Sequence, residues 1–361
     1  MWRWNKPEKP EAPAPEQAPQ VKAAPAIYAL TDALPDPALI LAHNGWVLHA
    51  NPGAAELLGQ NPQGQHVSAT IRAPVILDAV SRVLEGNGPL KVEFERRVPL
   101  PQHHEAWIAP ILGHPDGPAI LISLKDLTRE QMIERMRADF VANASHELRT
   151  PLTALLGFIE TLQGPARKDD SARDRFLDLM RVQGARMKRL IDDLLSLSRI
   201  EMNAHQRPEG RVELAALARH VADIMGPLAT EQGVELNLDL TIGLSVHGDW
   251  DELTQVVQNL VENALKYANS GKKIDISTTR AAQSTELVVR DYGQGIAPEH
   301  LPRLTERFYR VSVQESRLRG GTGLGLAIVK HILNRHRARL LIASTPGEGS
   351  RFTIRFPELE N

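Results

Sequence analysis

Hydrophobic positions recur every three or four residues along two stretches in the middle of the chain. In the first stretch they fall at Val141, Ala144, Leu148, Leu152, Leu155, Ile159 and Leu162. In the second they fall at Phe176, Met180, Met187, Leu190, Ile191, Leu194 and Leu197. This spacing predicts two long amphipathic helices within residues 126–203, joined by a turn at the polar segment 163–171.

A single hairpin of two such helices would leave much of each apolar stripe in contact with water. Two copies packed as a four-helix bundle would bury both stripes. We therefore expect the chain to form a homodimer through this antiparallel hairpin, most simply with twofold symmetry.

After residue 203 the pattern changes to helices that alternate with strands. Runs of aliphatic residues predict strands at 234–242, 273–279, 286–291, 339–344 and 351–356. Helical spacing returns at 252–267 and 322–335. The alternation predicts a layered α/β domain over residues 204–361.

The first 125 residues have shorter elements. Six prolines within residues 1–26 predict an extended, disordered arm. Between residues 27 and 125, short strands around the turn Asn44-Gly45 predict a hairpin. A small α+β domain is expected there, with strands at 39–42, 46–48, 90–97, 105–112 and 119–124 and a helix at 54–58. The predicted fold class of the whole chain is therefore multidomain α+β.

Charge and cysteine content exclude several functions. Lysine and arginine number 42 against 44 aspartate and glutamate, so a chain-wide nucleic-acid surface is not expected. The absence of cysteine excludes disulfides, cysteine-ligated zinc and Fe–S clusters. No apolar run approaches the roughly 18 residues of a membrane span. We expect a cytoplasmic protein without a span in this chain, which leaves membrane association through a partner open.

One histidine of the first long helix lies off its apolar stripe. His146 is two residues from both Ala144 and Leu148, or about 200° around a helix, so it should face water. Pro151 interrupts the same helix at a cost of roughly 3 kcal/mol, which a purely structural helix would have little reason to carry. A core-packing role for His146 is therefore not expected, and a simple surface histidine remains the alternative to a functional one.

The helix predicted at 252–267 has a polar face suited to phosphates. Asn259 and Asn263 lie one turn apart, opposite its apolar residues, and Lys266 and Tyr267 follow one turn on. Amide oxygens are hard ligands that suit Mg²⁺, and a lysine suits phosphate groups. An ordinary solvated helix face would explain these residues equally well.

Two glycine-containing segments flank predicted elements. Asp291, Gly293 and Gly295 follow a strand, where the carboxylate can accept a hydrogen bond from an adenine amino group. Glycines at 320–325 open a helix, and backbone N–H groups exposed there can cradle phosphate. This second segment matches neither the P-loop nor the Rossmann fingerprint.

The segments 146–151, 259–267, 291–296 and 320–327 resemble, in this order, the H, N, G1 and G2 boxes of sensor histidine kinases. The first segment reads His-Glu-Leu-Arg-Thr-Pro. Residues 27–125 are similar to a PAS sensor domain, and the whole most resembles the phosphate-regulon sensor subgroup. The resemblance implies a HisKA dimerisation domain at 126–203 and an α/β-sandwich ATP-binding domain of the GHKL type at 204–361.

The resemblance also implies how ATP and Mg²⁺ are bound. Asp291 would hold adenine, and Asn263, helped by Asn259, would hold the metal. Phosphate charge would be neutralised by loop amides, by Lys266 and by an arginine of the lid-like segment 306–310. The implied binding residues also include Tyr267, Gly293, Gly295, Arg307, Arg310, Gly321, Thr322, Gly323, Leu324 and Gly325.

The implied reaction uses three residues of the long helix. His146 would take the γ-phosphoryl group, with Glu147 as the general base, and pass it to an aspartate of a response-regulator receiver domain. Thr150, one turn on, would support dephosphorylation of that regulator. The chain departs from the family pattern at Thr305, where an aromatic is usual, and at His336-Arg337-Ala338, where His-Gly-Gly is usual.

Two other functions would use the same residues. An ATP hydrolase of the gyrase, Hsp90 and MutL type would have a water-activating glutamate where this chain has Asn259, and Glu262 is expected to face elsewhere. A non-catalytic, dimeric ATP-binding adaptor is the second alternative, and the intact His146, Asn263 and Asp291 argue against it. The sequence does not identify the input signal. The histidines of residues 27–125 show no ligand spacing for haem, so scattered surface histidines are favoured over a haem site.

Overall fold

The computed structural model describes residues 26–96, 101–112, 114, 117–203, 206–267, 271–281, 284–312 and 321–358. The predicted arm at 1–26 lies outside the described residues except for Ala26, which begins the first helix. The chain divides into two compact units, Met1–Ala138 and Asp139–Asn361. Within the described part, no helix is both long enough and apolar enough to cross a bilayer.

The first unit contains a five-stranded antiparallel sheet in the order β2-β1-β5-β4-β3. Its strands are β1 (Ala38–Ala42), β2 (Val47–Ala50), β3 (Leu90–Arg96), β4 (Gln102–Ile111) and β5 (Ala119–Asp126). Its short helices are α1 (Ala26–Asp32), α2 (Pro52–Leu58), α3 (Val67–Thr70) and α4 (Pro74–Leu84). The predicted hairpin and strands are confirmed, whereas α3 and α4 were not predicted.

A single buried asparagine fixes the start of α2. The Asn51 side chain accepts hydrogen bonds from the N–H groups of Ala38 (2.9 Å) and Ala54 (2.8 Å). Its amide nitrogen donates to the carbonyl of Asp36 at 2.9 Å. The cap therefore ties α2 to the start of β1, which accounts for the helix predicted after Asn51-Pro52.

Two long helices form the predicted hairpin. Helix α5 spans Thr128–Gln163 and contains Pro151, and helix α6 spans Asp170–Met202. Asp169 caps α6 by accepting from the N–H of Ala172 at 2.9 Å. Several positions of the apolar stripes remain exposed, among them Val141 at 63% and Leu152 at 47%.

The rest of the second unit is a two-layer α/β structure. Its sheet has the order β11-β12-β10-β9-β7, and among the described strands only β7 and β9 pair in parallel. The strands are β7 (Glu235–Leu240), β9 (Lys273–Ala281), β10 (Ser284–Asp291), β11 (Arg339–Thr345) and β12 (Gly349–Pro357), and a small ribbon pairs β6 (Arg211–Glu213) with β8 (Ser245–His247). The helices are α7 (Leu214–Glu231), α8 (Trp250–Tyr267) and α9 (Gly325–Arg335). All five strands and both helices predicted here are confirmed, and α7 was missed.

One hydrophobic core joins these layers to the hairpin. Sheet residues such as Ile276 and Val289 are fully buried against α8 and α9. Leu190, Leu197 and Ile200 of α6 belong to the same buried cluster. Helix α6 therefore packs on the α/β layers, which brings polar residues of the hairpin to the site described next.

Candidate active site

A cavity of about 240 Å³ lies between α8, the end of β10 and the segment 321–325, here called the glycine loop. The elements that the sequence singled out meet in its wall. The predicted residues that line the cavity are Asn259, Asn263, Lys266, Tyr267, Asp291, Gly295, Arg310, Gly321, Thr322, Gly323 and Gly325.

Asp291 supplies a buried carboxylate to the cavity. Its Oδ1 accepts hydrogen bonds from the N–H of Gly293 at 2.9 Å and of Ser350 at 3.2 Å. Burial raises the pKa of the Asp291 carboxyl above its ordinary value, although these hydrogen bonds oppose the shift. A buried acceptor in a cavity wall is suited to a ligand that donates an N–H group, such as the amino group of adenine.

Gly293 lies behind the wall and shapes it. A Cβ at this position would stand 2.1 Å from the carbonyl oxygen of Tyr267, so only glycine fits between the end of α8 and the Asp291 strand. Gly293 was predicted to contact the ligand, but it is absent from the cavity wall and instead allows close packing of two backbone segments.

The polar face of α8 points into the cavity as predicted, with one correction. Glu262 was expected to face elsewhere, but it lines the cavity. Its carboxylate lies 3.2 Å from the ammonium of Lys266, one turn along the helix. Glu262 lies three residues after Asn259 and four before Lys266, so the helix places it on the same face as these two residues. The expectation was wrong because its angle was counted from Asn263 alone.

The glycine loop is held by the segment that precedes it in the chain. The N–H of Phe308 donates to the carbonyl of Gly323 at 2.8 Å. Gly323 has φ +76°, and a Cβ there would lie 2.9 Å from the Phe308 backbone. Leu324 is fully buried, and its N–H donates to Thr322 Oγ1 at 3.3 Å. These contacts present the loop backbone at the start of α9, where N–H groups favour anions.

The structure places the three candidate residues of α5 outside the cavity wall. His146 is exposed, which confirms its predicted orientation, and Thr150 is exposed with its hydroxyl donating to the His146 carbonyl at 3.2 Å. Glu147 is mostly buried and lies 3.1 Å from Arg186 of α6 and 3.0 Å from Arg310.

The two arginines of the lid-like segment occupy different places. Arg310 lines the cavity and donates to the carbonyl of Thr322 at 2.7 Å as well as to Glu147. Arg307 is not in the wall. It pairs with Glu201 of α6 and lies over the ring of Phe140, 5.2 Å from its centre. Of the two, Arg310 is the one placed to meet a ligand in the cavity.

Two residues of the wall come from α6 and were not predicted. Arg189 and Asp193 line the cavity, and the Thr322 hydroxyl donates to Asp193 at 2.7 Å. Burial raises the pKa of the Asp193 carboxyl, although the bond from Thr322 opposes the shift. No spacing in the sequence signals this role, because it depends on how α6 packs against α9.

The residues present fit a Mg²⁺ ion. Asn259 and Asn263 both line the cavity and carry amide oxygens. Asn259 Nδ2 is buried without a hydrogen-bond partner among the described residues. Because amide oxygen and nitrogen are assigned from hydrogen bonding, the unpartnered atom can equally be an oxygen directed at a cation. Hard oxygen donors are those that Mg²⁺ prefers.

Profiles of two known families match this unit. The family described as His Kinase A (phospho-acceptor) domain matches residues 136–203. The family described as Histidine kinase-, DNA gyrase B-, and HSP90-like ATPase matches residues 248–360. The first match contains α6 and most of α5, and the second contains the cavity walls from α8 to the glycine loop.

Similar proteins cover more of the chain. The phosphate regulon sensor protein PhoR of Pseudomonas aeruginosa is 39% identical over 331 residues, which are 90% of this chain and 73% of that protein. The sensor-like histidine kinase SenX3 of Mycolicibacterium smegmatis is 35% identical over 69% of this chain, and the match spans 64% of its own length. The solved Acinetobacter baumannii histidine kinase AdeS covers 59% of this chain and 97% of its own, with 28% identity and a TM-score of 0.46.

Proposed function

Since the chain belongs to the sensor histidine kinases, which phosphorylate a histidine of their own from ATP and pass the group to a response regulator, we propose that its cavity binds Mg-ATP and that His146 is the phosphoacceptor. One observation carries the proposal. A buried acceptor, a polar helix face and a glycine loop line one cavity, and Arg310 of that cavity binds the neighbour of an exposed histidine.

The cavity residues divide between the two ends of the nucleotide. Asp291, whose Oδ1 accepts from the N–H of Gly293, also accepts the adenine amino group. Lys266, Arg310 and the loop N–H groups around Gly323 and Gly325 neutralise the phosphates. Asn263 and Asn259 hold Mg²⁺, which supplies further positive charge to the triphosphate when it is bound.

The phosphoryl group then moves to His146. One nitrogen of the neutral imidazole attacks the γ-phosphorus, a P–N bond forms, and the bond to the bridging oxygen of ADP breaks with its electron pair going to ADP. Glu147 accepts the proton from the other ring nitrogen. Catalysis by this chain thus consists of positioning, charge neutralisation and one proton transfer.

Residues 126–203 serve as the dimerisation and phosphoacceptor domain and residues 204–361 as the ATP domain, with residues 27–125 as a PAS-like sensor. The exposed apolar residues of the hairpin support a homodimer, because a second copy would cover them. The phosphoryl group passes from His146 to an aspartate of a receiver domain. Thr150 supports the opposite reaction, in which the phosphorylated receiver domain is dephosphorylated. A cytoplasmic location follows from the need for ATP.

The test is autophosphorylation of the full chain with γ-³²P-ATP and Mg²⁺. The wild type and a His220→Gln control, which alters an exposed histidine of α7, should take up acid-labile, base-stable label. His146→Gln should take up none. Equal labelling of His146→Gln would contradict the assignment.

A further inference from the structure

The helical hairpin contributes an acidic residue to the part of the cavity that the phosphates would occupy. Asp193 of α6 accepts a hydrogen bond of 2.7 Å from the hydroxyl of Thr322, in the middle of the glycine loop. This carboxylate is partly buried and lies in the cavity wall, as does Arg189 of the same helix. A carboxylate and a phosphate oxygen are both anionic acceptors, so each would satisfy the same donors.

We propose that Asp193 is a latch on the glycine loop that the triphosphate of ATP must displace. The inference rests on the proposed function, since it takes the cavity as the ATP site. Asp193 thereby sets the affinity for the triphosphate and ties the start of α9 to α6 until nucleotide arrives.

A second contact at the same loop acts in the same direction. Arg310 donates to the carbonyl of Thr322 at 2.7 Å and to the carboxylate of Glu147 at 3.0 Å. Thr322 is thus held through its hydroxyl by α6 and through its carbonyl by an arginine that is itself bound to α5. A triphosphate in the cavity would attract the Arg310 guanidinium, so nucleotide competes for both attachments.

The charges around Asp193 favour its displacement. Glu262 is a second negative group facing Asp193 from α8, and Lys266 and Arg189 are the cations that face it. Addition of a triphosphate places several further negative charges in the same partly dehydrated space, where like charges repel strongly. The cations can then turn from the carboxylate to the phosphates, and the Asp193 bond to Thr322 is lost.

If Asp193 competes only with phosphate groups, its removal should affect the binding of ATP but not the binding of adenosine. Adenosine fills the Asp291 end of the cavity without reaching the glycine loop, so it leaves the latch closed. ATP opens it. Removal of the Asp193 charge should therefore tighten ATP binding and leave adenosine binding as it was.

The experiment is calorimetric titration of the full chain with Mg-ATP and with adenosine. Asp193→Asn should bind Mg-ATP about tenfold more tightly than wild type, the change that corresponds to loss of one competing charged hydrogen bond. Adenosine affinity should not change. Asp192→Asn is the matched control, because Asp192 is the exposed neighbour on the same helix and lies outside this cavity.

Three results would overturn the latch. Unchanged ATP affinity in Asp193→Asn would show that the carboxylate does not compete. Weaker ATP affinity would make Asp193 part of the phosphate or metal site. Equal tightening of ATP and adenosine would indicate a general opening of the cavity. Failure of the wild type to bind Mg-ATP would instead overturn the proposed function itself.

Discussion

The guanidinium of Arg310 binds the carboxylate of Glu147 through two hydrogen bonds, 3.0 Å to Oε2 and 3.4 Å to Oε1. The contact joins the cavity wall to the residue next to His146. Arg186 binds the same carboxylate from α6 at 3.1 Å. Of these two cations, only Arg310 lines the cavity, so nucleotide can draw it away while Arg186 stays and keeps Glu147 in place.

This arrangement predicts that Arg186 affects the rate of phosphorylation but not the affinity for ATP. Arg186→Gln should slow autophosphorylation about tenfold, because a charged hydrogen bond that orients Glu147 is lost. The dissociation constant for Mg-ATP should stay at the wild-type value. Arg181→Gln, at an exposed position of the same helix, should change neither quantity. A parallel loss of affinity and rate in Arg186→Gln would place Arg186 in the binding site instead.

Asp291 should determine the affinity for ATP. Asp291→Asn should weaken Mg-ATP binding by about ten- to a hundredfold, because a charged acceptor for the adenine amino group is lost. The same substitution should not lower stability at neutral pH. Burial raises the pKa of Asp291, so its ionised carboxylate is less favourable in the folded chain than in the unfolded chain. Titration and thermal unfolding measure the two effects. Asp239→Asn, on an exposed part of β7, is the control.

His336 should make stability depend on pH. Its Nδ1 donates to the carbonyl of Ile332 at 2.8 Å, and its Nε2 accepts from the N–H of Asp249 at 3.1 Å, which requires the neutral ring. Burial lowers the pKa of His336. The contribution of His336 to the free energy of unfolding is therefore complete above the unfolded-state pKa of about 6.5. It is lost as the pH falls toward the folded-state pKa, because the unfolded chain takes up the proton first.

The midpoint of thermal unfolding at about pH 7.5 and about pH 5.5 checks this prediction. The wild type should lose more stability between the two than His336→Gln does. Part of the loss should persist in the variant, since burial also lowers the pKa of His104 and His331. His220→Gln should behave like wild type. An identical pH dependence in His336→Gln would show that His336 does not contribute to the pH dependence of stability.

Arg337 stands in a backbone conformation that favours glycine. Its φ is +54°, directly after α9, at a position where the family pattern has glycine. Arg337→Gly should stabilise the protein by about 0.5–1 kcal/mol. Glycine relieves the strain of the left-handed conformation, and this gain exceeds the cost of the added conformational freedom of the unfolded chain. Arg339→Gly, in β11, should not stabilise it. A lower unfolding midpoint for Arg337→Gly would refute the strain argument.

Thr150 should separate the two activities toward the regulator. Thr150→Ala should retain autophosphorylation but lose dephosphorylation of a phosphorylated receiver domain, because its exposed hydroxyl lies one turn from His146. Release of inorganic phosphate from the receiver measures the loss. Thr153→Ala, an exposed threonine on the same helix, should keep both activities. Normal dephosphorylation by Thr150→Ala would rule the role out.

Periodicity and glycine spacing were enough to predict most of the site, because α8 and the Asp291 strand have strong local signals. Helix α7 was missed, since Gly226 and Pro227 inside it are residues that usually end a helix. Asp193 could not be predicted, because it reaches the cavity only through the packing of α6. Glu262 was assigned to the wrong side, because its angle was counted from Asn263 alone, whereas its spacing from Asn259 and Lys266 places it on the cavity face.

Transfer of a phosphoryl group from the cavity to His146 can be checked by locating the residue that becomes modified. The full chain, incubated with Mg-ATP and digested under alkaline conditions, can be mapped by tandem mass spectrometry across its 13 histidines. In the wild type we expect phosphorylation of His146 and of no other histidine, and in Asp291→Asn at limiting ATP the same residue should be phosphorylated about ten- to a hundredfold less. Phosphate on a different residue, or an unmodified His146 in a chain that binds ATP, would contradict it.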